Sequence, residues 1–205
     1  MPNWCDTQYT VRGNEKQLTQ LYNALTFVYN NPDPDGGGFR FYRPFSWVLT
    51  HLGIDCKNVY CRCELIDEPT LEKDLHGKDQ LEFSTQSAWA DPYEAIGAIM
   101  EKLPELQFWC QAEEGGNSYY AVKGPDQSHY NVKWLLCGDS VWEYYGPDDK
   151  KELVKDVARF TETEFDGFDE IAKVIAKYNA DNESSNSGHW LELNEFRIGG
   201  LCNES

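Results

Sequence analysis

The chain has 205 residues, 35 of them acidic and 18 basic, for a formal net charge of −17. Its 40% hydrophobic and 14% aromatic content is enough for a core, which excludes global disorder. The acidic balance argues against generic or direct nucleic-acid binding, which needs clusters of Lys and Arg, and no run approaches the roughly 20 apolar residues of a membrane span.

The opening MPNWCDTQYTVRG alternates Cys5, Thr7, Tyr9 and Val11 with Asp6, Gln8 and Thr10, the period of a strand with one buried face. Trp4 and Cys5 are expected to anchor it beneath the sheet, with Trp89 as another core aromatic. Asn14 and Gln17 have the form of a capping box. Leu18, Leu21, Tyr22, Leu25 and Val28 then share a helical stripe, which NNPDPDGGG ends. FRFYRPFSWVLTHLG reads as a packed connection with a short strand or helical turn, KNVYCRCELI as a strand, EPTLEKDLHGKD as a polar connection and QLEFSTQSAW as a strand. In ADPYEAIGAIMEKLP, Asp91 is the predicted N-cap, Pro92 the first helical residue and Glu94 the capping-box partner. Tyr93, Ile96, Gly97, Met100 and Leu103 form the predicted buried stripe, and Pro104 stops the helix. ELQFWCQAEE and SYYAVKG read as a hairpin about GGN.

This order predicts an α+β chain: a ferredoxin-like antiparallel sheet with helices on one face over residues 1–125, plus a C-terminal α/β extension. Residues 126–205 are expected to pack on the first part. They hold a hairpin about Gly138 and Asp139, a helix from Asp149 burying Leu153, Val157 and Phe160, a second helix burying Phe168, Ile171, Ile175 and Tyr178, and a closing strand in HWLELNEFRIGG.

Seven cysteines, Cys5, Cys56, Cys61, Cys63, Cys110, Cys137 and Cys202, are odd in number and scattered. They read as reduced thiols rather than a disulfide scaffold. CKNVYCRC raises a zinc site, but its strand-like alternation lacks the loop of a structural zinc site, and no second ligand pair follows at the usual spacing. No metal or other cofactor is expected. The four histidines fall in no catalytic motif, DGGGF lacks the Lys-Ser or Lys-Thr of a P-loop, and no nucleophile elbow occurs. Asp126, His129 and Tyr130 form a conceivable acid/base cluster that reads better as a surface loop. No catalytic residue is assigned. The N-terminus has no basic patch before an apolar stretch, so a cytoplasmic location is expected.

MPNWC, Gly13 and the series Thr85, Ala88, Trp89, Pro92, Pro104, Leu106, Phe108 and Gly124 resemble the YubB-like family of phage and plasmid proteins, which includes the Api-type phage protein. The resemblance covers roughly the first 125 residues in separated blocks. It implies a ferredoxin-like domain encoded by a mobile element, working in a bacterial cytoplasm, and it implies no particular activity. THLGIDCKN stands where members often carry Asn-Trp-Gly.

Residues 139–205 hold 16 acidic and 7 basic residues, against 19 and 11 in the first 138, so charge density roughly doubles. Glu152, Asp156, Glu162, Glu164, Asp166, Asp169 and Glu170 are the candidate partner-binding residues. The leading expectation is an accessory protein that inhibits a host nucleic-acid-handling or defence complex, its acidic surface imitating nucleic acid before a basic partner. The alternatives are a metal-dependent enzyme acting on nucleotides or nucleic acid, an RNA-binding sheet presenting Phe83, Trp109 and Tyr120, and a regulatory homodimer paired through strand edges.

Overall fold

The computed structural model describes residues 3–33, 42–185 and 187–200. The readings made of residues 34–41 and of Cys202 lie outside them. The described residues form a mixed α+β structure with five helices and two sheets, whose strands pair mostly antiparallel. The chain divides into two compact units, Met1–Tyr130 with Ile198–Ser205, and Asn131–Arg197; the sequence reading drew the boundary at 125/126.

In the first unit, β1 (Trp4–Gly13) lies between β4 (Asp79–Ala88) and β5 (Leu106–Glu114). The sheet continues through β6 (Tyr119–Lys123) and β10 (Arg197–Gly199) beyond β5, and through β2 (Cys63–Leu65) beyond β4, with β3 (Thr70–Lys73) also on β4. Tyr9 and Val11 of β1 share one core with Leu18, Leu21, Leu25 and Val28 of α1 (Glu15–Asn30), Val48 and Leu49 of α2 (Phe45–His51), and Ile96 and Ile99 of α3 (Tyr93–Lys102). The period-2 alternation of β1 therefore places all three helices on the same side of the sheet.

The other face carries Gln8, Thr10, Gln80, Glu82 and Gln111, opposed in register across β1, β4 and β5. The segment after β6 is tied down on this face. Trp109 Nε1 donates to Asp126 Oδ1 at 2.9 Å, the His129 ring meets the Trp109 ring at 4.4 Å, and Tyr130 Oη lies 3.1 Å from Thr10 Oγ1. The three side chains weighed as an acid/base cluster thus pack a strap onto the sheet.

Several local expectations change. KNVYCRCELI is a strand only at Cys63–Leu65: Asp55 Oδ1 accepts from Lys57 N at 3.1 Å and turns the chain, and Tyr60 N donates to Glu94 Oε2 at 2.8 Å rather than to a neighbouring strand. EPTLEKDLHGKD supplies strand β3, because Asp74 accepts from His76 N and Lys78 N and closes a turn into β4. Asn14 caps α1 as expected, accepting from Lys16 N and Gln17 N. The Gln17 side chain, however, accepts from Glu105 N at 3.0 Å and does not complete a box. Gly13, at φ +145°, lies where an added Cβ would be 2.1 Å from Glu105 O, so only glycine allows that close approach.

In the second unit, β7 (Trp134–Gly138) lies between β8 (Trp142–Tyr145) and β9 (Leu191–Glu195). Leu153 and Val157 of α4 (Lys150–Thr161) and Ile171 and Ile175 of α5 (Ile171–Ser185) bury against Trp134, Leu136 and Leu191. Phe160, Phe168 and Tyr178 are only partly buried at its margin. The Asp149 side chain accepts from Gly146 N at 2.7 Å, shaping the preceding turn rather than capping α4.

Candidate functional site

The seven candidate partner-binding residues lie in the second unit. Glu162, at φ +50°, ends α4, and the chain runs without regular structure to the short turn Phe168–Glu170 before α5. Glu162, Glu164, Asp166, Asp169 and Glu170 are all exposed, and none forms an ion pair with a described residue. Their repulsion is relieved by solvent, which is why they gather on a connection and not on a packed face. Glu152 is exposed on α4. Asp156 is different: its Oδ2 accepts from Tyr145 Oη at 2.8 Å and its Oδ1 lies 2.9 Å from Arg159 Nη2. It braces α4 to the sheet and drops out of the exposed set.

The carboxylates have cationic neighbours. A groove of about 410 Å³ lies along Glu164, Glu170, Lys173 and Lys177. Another of about 420 Å³ lies along Lys150, Lys151, Lys155 and Asp166, with Phe165 and Phe168 in its wall. The connection is therefore an acidic ridge flanked by lysines, and its field is narrower than the net charge suggests.

A second constellation, in the first unit, escaped sequence reasoning. Asp91 has the Asp-Pro form of an N-cap, but makes no cap bond to α3. Its side chain is fully buried. It accepts from Lys123 Nζ at 3.1 and 3.4 Å, to its two oxygens, and from the Tyr119 hydroxyl. The ammonium also lies 5.9 Å from the Tyr93 and Tyr119 ring centres. Burial, followed by the Asp91 charge, pushes the Tyr119 phenol far above its usual range, so it remains a donor. Small residues make room beneath: Cys5, Ala112 and Ala121 cluster with Tyr119 on the helix side of the sheet.

Above this network, Tyr60, Arg62, Ser87, Trp89, Tyr93 and Glu94 line a cleft of about 190 Å³. Tyr60 is 55%, Trp89 48% and Tyr93 50% exposed, so the expectation of Trp89 in the core is wrong, as it is for Trp4 at 43%. Only Cys5 of the opening pair is buried. Trp89 stands at φ +75°, a left-handed conformation that costs a non-glycine residue about 1–3 kcal/mol. Its N–H donates to Asn3 O at 2.9 Å. Tyr93, expected in the buried stripe of α3, turns outward, and Ala95 and Ile99 take its place.

Among the described residues the thiols do not form a reactive set. Cys56, Cys61 and Cys63 pack against the first core; burial pushes Cys61 up to about 12 and Cys63 well above its usual value. Among the described residues no group of three His, Cys, Asp or Glu is placed to hold a metal ion. Among them also, no helix is long and apolar enough to cross a membrane. The aromatics invoked for an RNA-binding sheet are buried: Phe83 at 3%, on the helix side, and Trp109 and Tyr120 at 5% each.

No family model matches the chain, and no curated protein matches it. A crystal structure of an unknown protein from Galdieria sulphuraria is similar over 93% of this chain and 97% of that one, at 9% identity and a TM-score of 0.29; so low a score carries no argument about fold or function.

Proposed function

We propose that this protein is a mobile-element accessory protein that acts by binding a basic, nucleic-acid-handling host protein in the bacterial cytoplasm and inhibiting it. The observation that carries this reading is the acidic ridge: five exposed carboxylates within nine residues, without ion pairs among the described residues. Such a surface favours encounter with a positive groove and discriminates against nucleic acid itself. Asp156, engaged with Tyr145 and Arg159, is not part of it. A ferredoxin-like assignment of the first unit is supported by the path β5-β1-β4-β2, with two helices, α1 and α2, between β1 and β2 and a third, α3, between β4 and β5, all three contributing to the core.

The test is capture from bacterial lysate, with and without nuclease, followed by reconstitution with the purified partner. A basic nucleic-acid-binding protein should be retained in both conditions and lose its activity when this protein is added. Capture that disappears on nuclease treatment, or a purified partner that stays fully active, refutes the reading.

A further inference from the structure

The cleft above Asp91 is independent of the acidic ridge and has a chemistry of its own. Two of its aromatic side chains, Tyr60 and Trp89, contact no other ring and no cation among the described residues, although half of each side chain is in solvent. The third, Tyr93, is held by Lys123 beneath it. Glu94 is already engaged, accepting from Tyr60 N at 2.8 Å and facing the Tyr93 hydroxyl at 3.4 Å. Ser87 Oγ donates to Ala90 O at 2.6 Å. Arg62 is exposed and has no ion pair or hydrogen bond from its side chain among the described residues. The walls thus offer free aromatic faces and one free guanidinium, on a backbone fixed in a strained conformation at Trp89. A volume of about 190 Å³ suits one planar ring system. Aromatic faces stack on such a ring regardless of its identity, and a guanidinium matches a phosphate with two parallel donors.

We propose that this cleft is a mononucleotide site, with the base stacked on Trp89 and Tyr93 and the phosphate held by Arg62. A short ligand of low charge is favoured over a strand, because a chain of net charge −17 repels a polyanion that it cannot neutralise.

Isothermal titration calorimetry of the full chain at low salt tests this with AMP, adenosine, ribose 5-phosphate and a single-stranded oligonucleotide. AMP should bind saturably with one site, more tightly than adenosine or ribose 5-phosphate. Arg62→Gln should weaken AMP by about tenfold or more while leaving adenosine unchanged. Trp89→Ala should weaken both AMP and adenosine by about fivefold or more, and Trp89→Phe, which keeps a stacking face, should restore most of that loss. Absence of saturable AMP binding by the parent protein overturns the site. So does unchanged AMP binding in both Arg62→Gln and Trp89→Ala, and tighter binding of the oligonucleotide than of AMP overturns the choice of ligand. A Trp89→Phe variant that folds as the parent does and binds no better than Trp89→Ala assigns the loss to something other than stacking and removes the proposed base position.

Discussion

Lys123 Nζ lies 3.1 Å from Asp91 Oδ1, on side chains that are 10% and 0% exposed. The pair joins β6 to the segment that leads into α3, and the hydroxyl of Tyr119 completes it. Removing one partner of a buried pair leaves an uncompensated charge, which costs about 3–5 kcal/mol. Lys123→Met should therefore lower the unfolding free energy by that order, and the double variant Asp91→Asn, Lys123→Met should recover part of it. Urea denaturation of both variants measures this; a double variant no more stable than Lys123→Met contradicts the role given to the pair.

Trp89 tests backbone strain at the cleft. Its φ of +75° excludes a β-branched residue more strongly than glycine, by about 1–2 kcal/mol. Trp89→Val should be less stable than Trp89→Gly by about that amount in urea. Equal stability of the two, with both chains folded by circular dichroism, would mean that the left-handed conformation is not retained.

At Gly13 the constraint is steric as well as conformational. A Cβ 2.1 Å from the Glu105 carbonyl cannot be accommodated without separating the ends of β1 and β5. Gly13→Ala should cost about 2 kcal/mol or more. The measurement is the shift in denaturant midpoint relative to the parent, and a shift close to zero would contradict the close approach.

The strap after β6 should respond to acid. Hydrogen bonds from Ser128, and then from the Trp109 indole, hold the Asp126 carboxyl down to about 2, below its ordinary 3.8. A carboxyl with a depressed folded-state pKa adds stability above its unfolded value, and that contribution fades as pH falls through the folded one. Protection of the strap's amides in hydrogen exchange should thus decline between about pH 4 and pH 2. Asp126→Asn should flatten this dependence; an unchanged decline in the variant would assign it to another group.

Regular elements with a clear period were legible in the sequence. The alternation of β1 and the stripe of α1 reappear as buried faces, and only Tyr22 in that stripe is partly exposed. Elements decided by partners distant in sequence were not legible. Asp91-Pro92 has every local mark of a cap, but the tertiary contact with Lys123, 32 residues away, takes the carboxylate instead. β3 became a strand because β4 offers it an edge, not because its own pattern is strong. The acidic ridge could be found by counting charge, whereas the engagement of Asp156 by Tyr145 and the lysines beside the ridge depend on how α4 and α5 are rotated. The cleft had one usable signal, the run of Trp89 and Tyr93 around Pro92; its assignment to the core followed from treating aromatics as interior by default.

Partner recognition by the acidic ridge is tested most directly by replacing Glu162, Glu164, Asp166, Asp169 and Glu170 with Gln or Asn and measuring association with the captured partner across a salt series. Because all five are exposed and without ion pairs among the described residues, the variant should keep the parent's circular dichroism spectrum and unfolding midpoint. The parent's association rate should fall as salt rises, since exposed charges are screened over about 8 Å at physiological ionic strength. The variant should associate more slowly at low salt and show a flatter salt dependence. A folded variant that associates at the parent's rate, with the parent's salt dependence, contradicts the claim that this ridge is what the partner recognises.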